Sequence, residues 1–322
     1  MRTIFAGSTL QAAECLEELA KRQDVCLVLT RPDAPRGRGR KEAANPVKEK
    51  AEELGIEVFD GKPSDPLFAE KLKEKEVECG AVVAYGRLIS SSLLSLLSKG
   101  WYNLHFSLLP YFRGSNPVAA CVLDHYAHCG VTVFKLTEGL DEGPWLLKVP
   151  YIPSSPLTTG ELTQQLTVIG KSALVKALGE VEEGKEKLKA QEEEPDLKYA
   201  GKIDKSSARI DFSLPKEKIF YKVLACNPNP MAWSEAKAGE KTTYVKFNRL
   251  GPRCDLPVQE PGSVSCFKGK AFVCCGDGWL ELTEDEDVSK IYELMYQVRL
   301  GFAELYRKKT MGQIDDRTET DQ

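Results

Sequence analysis

Apolar residues in the first half of the chain follow two spacings, one typical of strands and the other typical of helices. Short apolar runs predict strands at 2–7, 25–33, 79–86, 101–107, 130–136 and 145–151. After the first run, Ala12, Leu16 and Leu19 recur at helical spacing, and Asp65 with Pro66 is a typical start for a later helix. This alternation predicts a Rossmann-like α/β domain with a mostly parallel sheet and crossover helices.

Helical patterns also occur further along this α/β region. Residues 88–98 predict one helix. Thr158 and Glu161 have the spacing of a capping box, which predicts the start of another helix with Leu162 and Leu166 on its apolar stripe.

Beyond that helix the pattern changes to a smaller, β-rich region. Residues 180–198 are charged and poor in apolar side chains, as expected of a solvated helix end and linker. Short alternating strands then predict a small, OB-like β barrel, with Val245 and Phe247 on one face and a last helix near 287–306. We therefore expect an α/β domain at 1–185, a linker at 186–206 and a β-barrel domain at 207–322.

Composition narrows the classes of function. The 322 residues are 42% hydrophobic and 29% charged, and no apolar run approaches the ~18 residues of a membrane-spanning helix. Because the first apolar stretch is too short for a secretory signal, we expect a cytoplasmic protein. A net charge of −4 argues against non-specific nucleic-acid binding by the whole chain, but residues 31–50 hold seven basic and three acidic side chains.

The cysteines and histidines indicate chemistry without a metal ion. The ten cysteines form no C-x-x-C pair and lie mostly in apolar segments, which is typical of buried thiols. The chain has three histidines and no Cys/His cluster at ligand spacing, so we expect no metal site.

One histidine, His105, lies two residues after Asn103 in a predicted strand, so both side chains point to the same face. The chain then turns at 107–110, at the carboxyl end of the strand, where open α/β sheets bind ligands. An amide beside an imidazole can direct N–H groups at a developing oxyanion. The alternative is a core histidine that is hydrogen-bonded to a backbone carbonyl, with Asn103 stabilising a turn.

Three further motifs favour a catalytic role. A Leu-Leu-Pro loop precedes Gly114 in SLLPYFRGSNP, the GLDEG loop carries Asp141, and VVAYG ends a neighbouring strand. With Asn-x-His at 103–105, their order and spacing resemble the 10-formyltetrahydrofolate-dependent formyltransferases. The resemblance implies that Asn103, His105 and Asp141 are catalytic and that 10-formyltetrahydrofolate is the co-substrate. On this interpretation Asn103 and protonated His105 stabilise an oxyanion, and Asp141 keeps His105 charged.

The folate is expected to lie mainly against the backbone of two loops. The resemblance implies contacts at Val83, Tyr85, Gly86, Leu88, Ser107, Leu108, Leu109, Pro110, Gly139 and Leu140. Because the second loop must return beneath the folate directly after a strand, we predict a cis peptide bond between Leu109 and Pro110. The chain departs from the family pattern at Phe106, Tyr111, Ser115, Asn116 and Pro144.

The basic segment at 31–50 indicates a branch of the family. It resembles the insertion with which methionyl-tRNA formyltransferases contact the acceptor arm of initiator tRNA, and YAGKIDKSSARIDFS and NPNPMAW resemble the opening of their C-terminal barrel. The resemblance implies tRNA contacts at Arg36, Arg38, Arg40 and Lys41. Because Gly37 and Gly39 disfavour a fixed conformation, we expect this loop to be mobile without tRNA. Guanidinium forks suit phosphate oxygens. The expected partner is initiator methionyl-tRNA, and the expected state is a monomer.

Two other interpretations stay open. A sugar-nucleotide formyltransferase uses the same folate donor and catalytic residues, but it leaves the basic loop without a role. A tRNA-binding module with an inactive α/β domain leaves the three catalytic side chains unexplained. A dinucleotide dehydrogenase is poorly supported, because the glycine at Gly7 is not part of a G-x-G-x-x-G motif.

Overall fold

The structure is a computed structural model, which describes residues 1–36, 41–193, 195–238, 241–254, 257–267 and 270–283. Arg38, Arg40 and the last helix expected near 287–306 lie outside the described residues. The chain divides into two compact units between Lys202 and Ile203. The first unit therefore includes most of the segment at 186–206 that the composition indicated as a linker.

The first unit contains eleven strands and six helices among the described residues. The strands are β1 (Arg2–Gly7), β2 (Asp24–Leu29), β3 (Ala34–Arg36), β4 (Lys41–Ala43), β5 (Val58–Phe59), β6 (Cys79–Val83), β7 (Gly100–His105), β8 (Arg113–Gly114), β9 (Gly130–Lys135), β10 (Trp145–Pro150) and β11 (Tyr199–Ala200). The helices are α1 (Leu10–Ala20), α2 (Pro46–Glu53), α3 (Pro66–Glu74), α4 (Ser91–Leu94), α5 (Pro117–Leu123) and α6 (Thr159–Glu182).

Seven of these strands form the central sheet, in the order β10-β9-β7-β6-β1-β2-β5. Five adjacent strands, β7, β6, β1, β2 and β5, are parallel to one another. At the other edge, β9 runs antiparallel to β7, and β10 runs antiparallel to β9. This arrangement confirms the predicted α/β fold with a mostly parallel sheet. Because parallel strands end at one edge of a sheet, β1, β6 and β7 bring Gly7, Val83 and His105 to the same edge.

Helices α1 and α6 form where the sequence predicts them, because in each the N-cap residue and the spacing of the apolar residues indicate the same segment. In α1, Ala12, Leu16 and Leu19 are buried, and the Thr9 side chain accepts the Ala12 N–H. The predicted capping box is present at the start of α6. The buried face of α6 then packs against α1, α5 and the strands β9 and β10.

Three elements are shorter than the sequence predicts. The strand expected at 25–33 ends at Leu29, and the strand expected at 79–86 ends at Val83, where Ala84 turns the chain with a φ of +45°. The helix expected at 88–98 is reduced to α4. Its serines compete for the backbone, since the Ser95 hydroxyl donates to the carbonyls of Ser91 and Ser92.

The expected linker is paired with the first unit through its main chain. Lys189 exchanges two backbone hydrogen bonds with Trp145, and β11 lies parallel to β8. Such pairings between distant segments leave no trace in local composition, so a charged run could be taken for unpaired chain.

The second unit begins at Ile203 and contains short antiparallel strands, as predicted for the small C-terminal barrel. Its elements among the described residues are α7 (Lys216–Cys226), β12 (Ala232–Ala238), β13 (Lys241–Phe247), β14 (Leu250–Cys254), β15 (Val264–Phe267), β16 (Lys270–Cys275) and β17 (Gly278–Leu282). Val245 and Phe247 are buried in its core, as their alternation predicts. In the described part of the chain, no helix is long and apolar enough to span a membrane.

Candidate active site

The candidate site lies at the carboxyl end of β7. His105 is the last residue of this strand and is only 5% exposed, while Asn103, two residues earlier on the same face, is half-buried. Among the described residues, the Asn103 side chain has no hydrogen-bond partner. Its amide is therefore available to donate to a bound molecule.

The imidazole of His105 has a defined orientation. Its Nε2 lies 2.9 Å from the Phe112 carbonyl oxygen. Because a carbonyl oxygen only accepts, Nε2 carries the hydrogen and Nδ1 is the remaining functional atom. The backbone hydrogen bond of the core-histidine alternative is thus present, but it occupies one ring nitrogen and leaves the other directed at Asp141.

The surroundings of His105 act on its pKa in opposite directions. Nδ1 lies 3.8 Å from Asp141 Oδ2, which is an ion-pair distance but too long for a hydrogen bond. Burial lowers the pKa of His105, and the Asp141 carboxylate and the Phe112 carbonyl oppose this effect without reversing it. Burial therefore favours the neutral imidazole, in which Nδ1 is unprotonated.

Asp141 is held by the backbone at the end of β8. Its Oδ2 accepts the Gly114 N–H at 2.9 Å, and its backbone has a φ of +54°, a conformation that few residues other than glycine adopt. Gly114 has a φ of +123°, and a Cβ there would lie 2.5 Å from the Ala200 carbonyl oxygen. Only glycine can present its N–H to Asp141 at this point.

A buried threonine orders the loop at 107–110, and the sequence reasoning missed it. Thr132, which pairs with His105 across the sheet, donates its hydroxyl to the Ser107 carbonyl at 2.7 Å and accepts the Leu109 N–H at 3.1 Å. The Leu109–Pro110 bond is cis, which confirms the prediction. The one sequence signal for this role is a polar residue within an otherwise apolar strand.

An arginine supports the neighbouring loop at the end of β6, and it too was missed. Arg31 donates from Nε to the Tyr85 carbonyl at 3.0 Å and from Nη2 to the Gly86 carbonyl at 3.1 Å. Gly86 has a φ of +71° and is exposed, and Leu88 is 83% exposed. Tyr85 is 1% exposed, so its side chain lies in the core.

Of the ten residues expected to contact folate, eight lie at the end of β6 or on the loops that follow β6 and β7, whereas Gly139 and Leu140 lie on the loop between β9 and β10 that also carries Asp141. The ten residues divide by burial into two groups. The buried members are Val83, Tyr85, Ser107, Leu109 and Pro110. The others are exposed or half-buried and are Gly86, Leu88, Leu108, Gly139 and Leu140. Exposed leucines beside exposed backbone groups fit a flat heteroaromatic ring with a few polar edges.

The basic residues are placed only in part. β3 and β4 pair as a short antiparallel hairpin, and the backbones of Arg36 and Lys41 are opposite each other at its tip end. The chain just after β4, which we call the hairpin root, contacts Arg31, since Asn45 donates its side-chain amide to the Arg31 carbonyl at 2.8 Å.

The part of the chain that the structure describes contains no group of three or more His, Cys, Asp or Glu side chains arranged to bind a metal ion. The cysteines described there are free thiols and mostly buried. For Cys15 and Cys79, burial raises the pKa to about 12, so these thiols are protonated and inert at neutral pH.

Comparison with known proteins gives consistent matches over both units. Residues 1–178 match the family model described as formyl transferase, and residues 202–291 match that of the formyl transferase C-terminal domain. The chain is 38% identical over 285 residues to the methionyl-tRNA formyltransferase of Streptomyces coelicolor, covering 88% of this chain and 90% of the relative. It is 41% identical over 302 residues to that of Bifidobacterium longum, covering 88% and 92%.

Among solved structures, an N-formyltransferase from Helicobacter canadensis in complex with folinic acid and dTDP-3-aminofucose matches with a TM-score of 0.65. It covers 88% of this chain and 98% of that chain at 15% sequence identity, so it shows the fold alone.

Proposed function

The chain belongs to the methionyl-tRNA formyltransferase family, and we propose that it transfers the formyl group of 10-formyltetrahydrofolate to the α-amine of methionyl-initiator tRNA. The observation that carries this proposal is the meeting of Asn103, His105 and Asp141 at the carboxyl end of β7. There, one uncommitted amide lies beside an imidazole whose second nitrogen faces a carboxylate.

The reaction requires little basicity from the enzyme. A free α-amine has a pKa of about 7.7 to 8.0, and an ester on the same carbon lowers it, so the nucleophile is largely neutral near pH 7. Attack on the formyl carbon produces a tetrahedral oxyanion. The Asn103 amide donates an N–H to this oxygen, and loss of such a donor typically reduces the rate ~10²- to 10³-fold.

His105 and Asp141 move and stabilise the proton. Neutral His105 accepts a proton at Nδ1 from the attacking amine as the new C–N bond forms. Asp141, 3.8 Å away, stabilises the imidazolium that results. His105 then returns the proton to the folate nitrogen as the bond from the formyl carbon to that nitrogen breaks. Burial lowers the pKa of His105 and so favours the neutral imidazole, which is compatible with its role as proton acceptor.

The two substrates use different surfaces of the first unit. The pterin ring lies against the exposed backbone near Gly86, with Leu88 and Leu140 as apolar contacts. The tRNA phosphates are bound by the basic side chains of Arg36, Arg38, Arg40 and Lys41, which are close together in the sequence. We also propose that the protein is a cytoplasmic monomer and that no metal takes part.

The test is an acceptor comparison with radiolabelled 10-formyltetrahydrofolate. Purified protein is incubated with methionyl-initiator tRNA, methionyl-elongator tRNA, free methionine or a dTDP-amino sugar, and formyl transfer to each is counted. We expect transfer to the initiator methionyl-tRNA, with the Asn103→Ala variant as a catalytic control. Transfer to the amino sugar alone would favour the sugar-nucleotide enzyme. Binding of tRNA without transfer to any acceptor would identify an inactive binding module.

A further inference from the structure

The side chain of Gln191 has every hydrogen-bonding position occupied, although it lies in the segment expected to be a linker. Its Oε1 accepts from Arg113 Nε at 3.1 Å and from Arg113 Nη2 at 2.8 Å. Its Nε2 donates to the carbonyls of Asp141 at 2.7 Å and Gly143 at 2.8 Å. Arginine can only donate and carbonyls only accept, so the orientation of the amide is determined by its partners.

These four bonds support the Asp141 carboxylate from two sides, the loop that carries it and the backbone next to Gly114. The bonds to the carbonyls of Asp141 and Gly143 fix the loop that carries the carboxylate. The bonds to Arg113 fix the residue before Gly114, whose N–H binds Asp141 Oδ2. Since Asp141 has a φ of +54°, its conformation depends on such external contacts.

The main chain around Gln191 is anchored without its side chain. Lys189 pairs with Trp145, and the Lys198 carbonyl accepts the Phe112 N–H at 2.7 Å. β11 pairs with β8. Loss of the Gln191 amide therefore removes support from the Asp141 loop while the pairing of the segment persists.

We propose that Gln191 is a positioning residue, which holds Asp141 beside His105 by binding the Asp141 loop and Arg113 at once; its effect on catalysis rests on the proposed function. Arg113 is the second member of this arrangement, and its Nη1 also lies 3.7 Å from Glu142 Oε1. Neither Gln191 nor Arg113 contacts the reacting atoms through these bonds.

Two substitutions separate the parts of the arrangement. Gln191→Met has a similar length and removes all four bonds. Gln191→Glu keeps an acceptor for Arg113 but replaces the donors to the two carbonyls with a repelling carboxylate oxygen. We expect both variants to lower kcat ~10- to 100-fold, because small displacements of catalytic groups have effects of this size. The KM values for folate and tRNA should change less than ~3-fold.

The matched control is Gln165→Met, the same substitution at an exposed glutamine on α6. It should leave kcat, KM and the melting temperature unchanged. If Gln191→Met folds poorly, Gln191→Glu, which retains a partner for Arg113, provides the measurement.

A second measurement does not require activity. The chain has three histidines, so the imidazole of His105 can be followed by NMR titration and assigned by substitution of His125 and His128. Burial lowers the pKa of His105, and two groups oppose this effect. They are the charged Asp141 carboxylate and the neutral Phe112 carbonyl. A displaced carboxylate lowers that pKa further, and we expect a fall of at least ~0.5 unit in Gln191→Met. The acid limb of kcat should move to lower pH by the same amount.

The outcomes distinguish the two proposals. An unchanged His105 pKa in both Gln191 variants overturns the positioning role, whatever the activity. A lowered pKa in a protein that formylates no acceptor supports the positioning role and contradicts the proposed function. A fall in activity in proportion to unfolded protein, with the His105 pKa unchanged in the folded fraction, identifies a purely structural glutamine.

Discussion

The carboxyl ends of β6 and β7 are neighbours in the sheet, yet they are built in opposite ways. At the end of β7, His105, Ser107 and Leu109 are buried and hydrogen-bonded, the first two to carbonyls of the segment that follows and Leu109 to Thr132 on β9. After β6, Gly86 and Leu88 are exposed. There Arg31 hydrogen-bonds the backbone carbonyls of Tyr85 and Gly86, and the loop is otherwise open to solvent.

This difference separates chemistry from binding. A buried polar network orients a few atoms closely and changes their pKa values, which suits proton transfer and oxyanion stabilisation. An exposed backbone turn beside apolar side chains offers area and a few hydrogen bonds, which suits a flat ligand. We therefore expect substitutions at the β7 end to change kcat and substitutions at the β6 end to change the KM for folate.

The largest effect is expected for the three side chains of the β7 end. Alanine in place of Asn103, His105 or Asp141 should lower kcat by at least ~10²-fold, because each removes an oxyanion donor, the proton acceptor or its charge partner. Steady-state kinetics with both substrates measures this, and KM values and tRNA affinity should stay near those of the wild type. Near-normal turnover of any one variant removes that residue from the mechanism.

The shared face of Asn103 and His105 could be predicted from the sequence, because alternation along a strand is a local signal. Only the family resemblance linked Asp141 to these two residues, and the catalytic role of all three stays a prediction. The supporting residues Arg31, Thr132 and Gln191 could not be predicted, since their roles arise from contacts between segments far apart in sequence.

The sheet and the two-unit organisation were also predictable, because apolar periodicity and a change in composition report them directly. The direction in which the pKa of His105 moves was not. The resemblance identified the residue, but its pKa depends on burial, which lowers it, and on the Asp141 carboxylate and the Phe112 carbonyl, which raise it, and only the folded chain brings these groups together.

The next effect concerns the support of the β7 end. Thr132→Val keeps the side-chain shape but leaves the Ser107 carbonyl and the Leu109 N–H without their buried partner. We expect the free energy of unfolding to fall by about 1 to 3 kcal/mol, with a loss of kcat of ~10-fold. Denaturant titration and kinetics measure the two.

A suitable control for it is Thr163→Val on α6, where the hydroxyl bonds only to the carbonyl one helical turn earlier. It should change stability by less than ~0.5 kcal/mol and leave kcat unaltered. If Thr132→Val keeps full kcat despite its lower stability, the loop at 107–110 does not need this support for chemistry.

A smaller effect is expected at the β6 end. In Gly86→Ala, the new Cβ would lie 2.1 Å from Arg31 Nη2 at a φ of +71°, so the backbone or Arg31 must move. Gly55→Ala is the matched control, since Gly55 has a φ of +68° and nothing within 4 Å of its Cβ position. Both variants should lose about 1 kcal/mol of stability. Only Gly86→Ala should raise the KM for folate, and a fall in kcat instead would break the separation of binding from chemistry.

The smallest effect, and the sharpest test of that separation, concerns the tRNA. Arg38 lies outside the described residues, but the segment around it is basic in a chain whose net charge is negative. If Arg38 binds a phosphate, Arg38→Ala should reduce the slope of log tRNA affinity against log salt by roughly 1, since one fewer counterion is released. Filter binding at several salt concentrations measures this slope, and kcat at saturating tRNA should equal that of the wild type. The KM for folate decides whether the two surfaces are independent. The hairpin root is hydrogen-bonded to Arg31, which supports the folate loop, so a raised KM would mean that the tRNA surface acts on the β6 end through that residue.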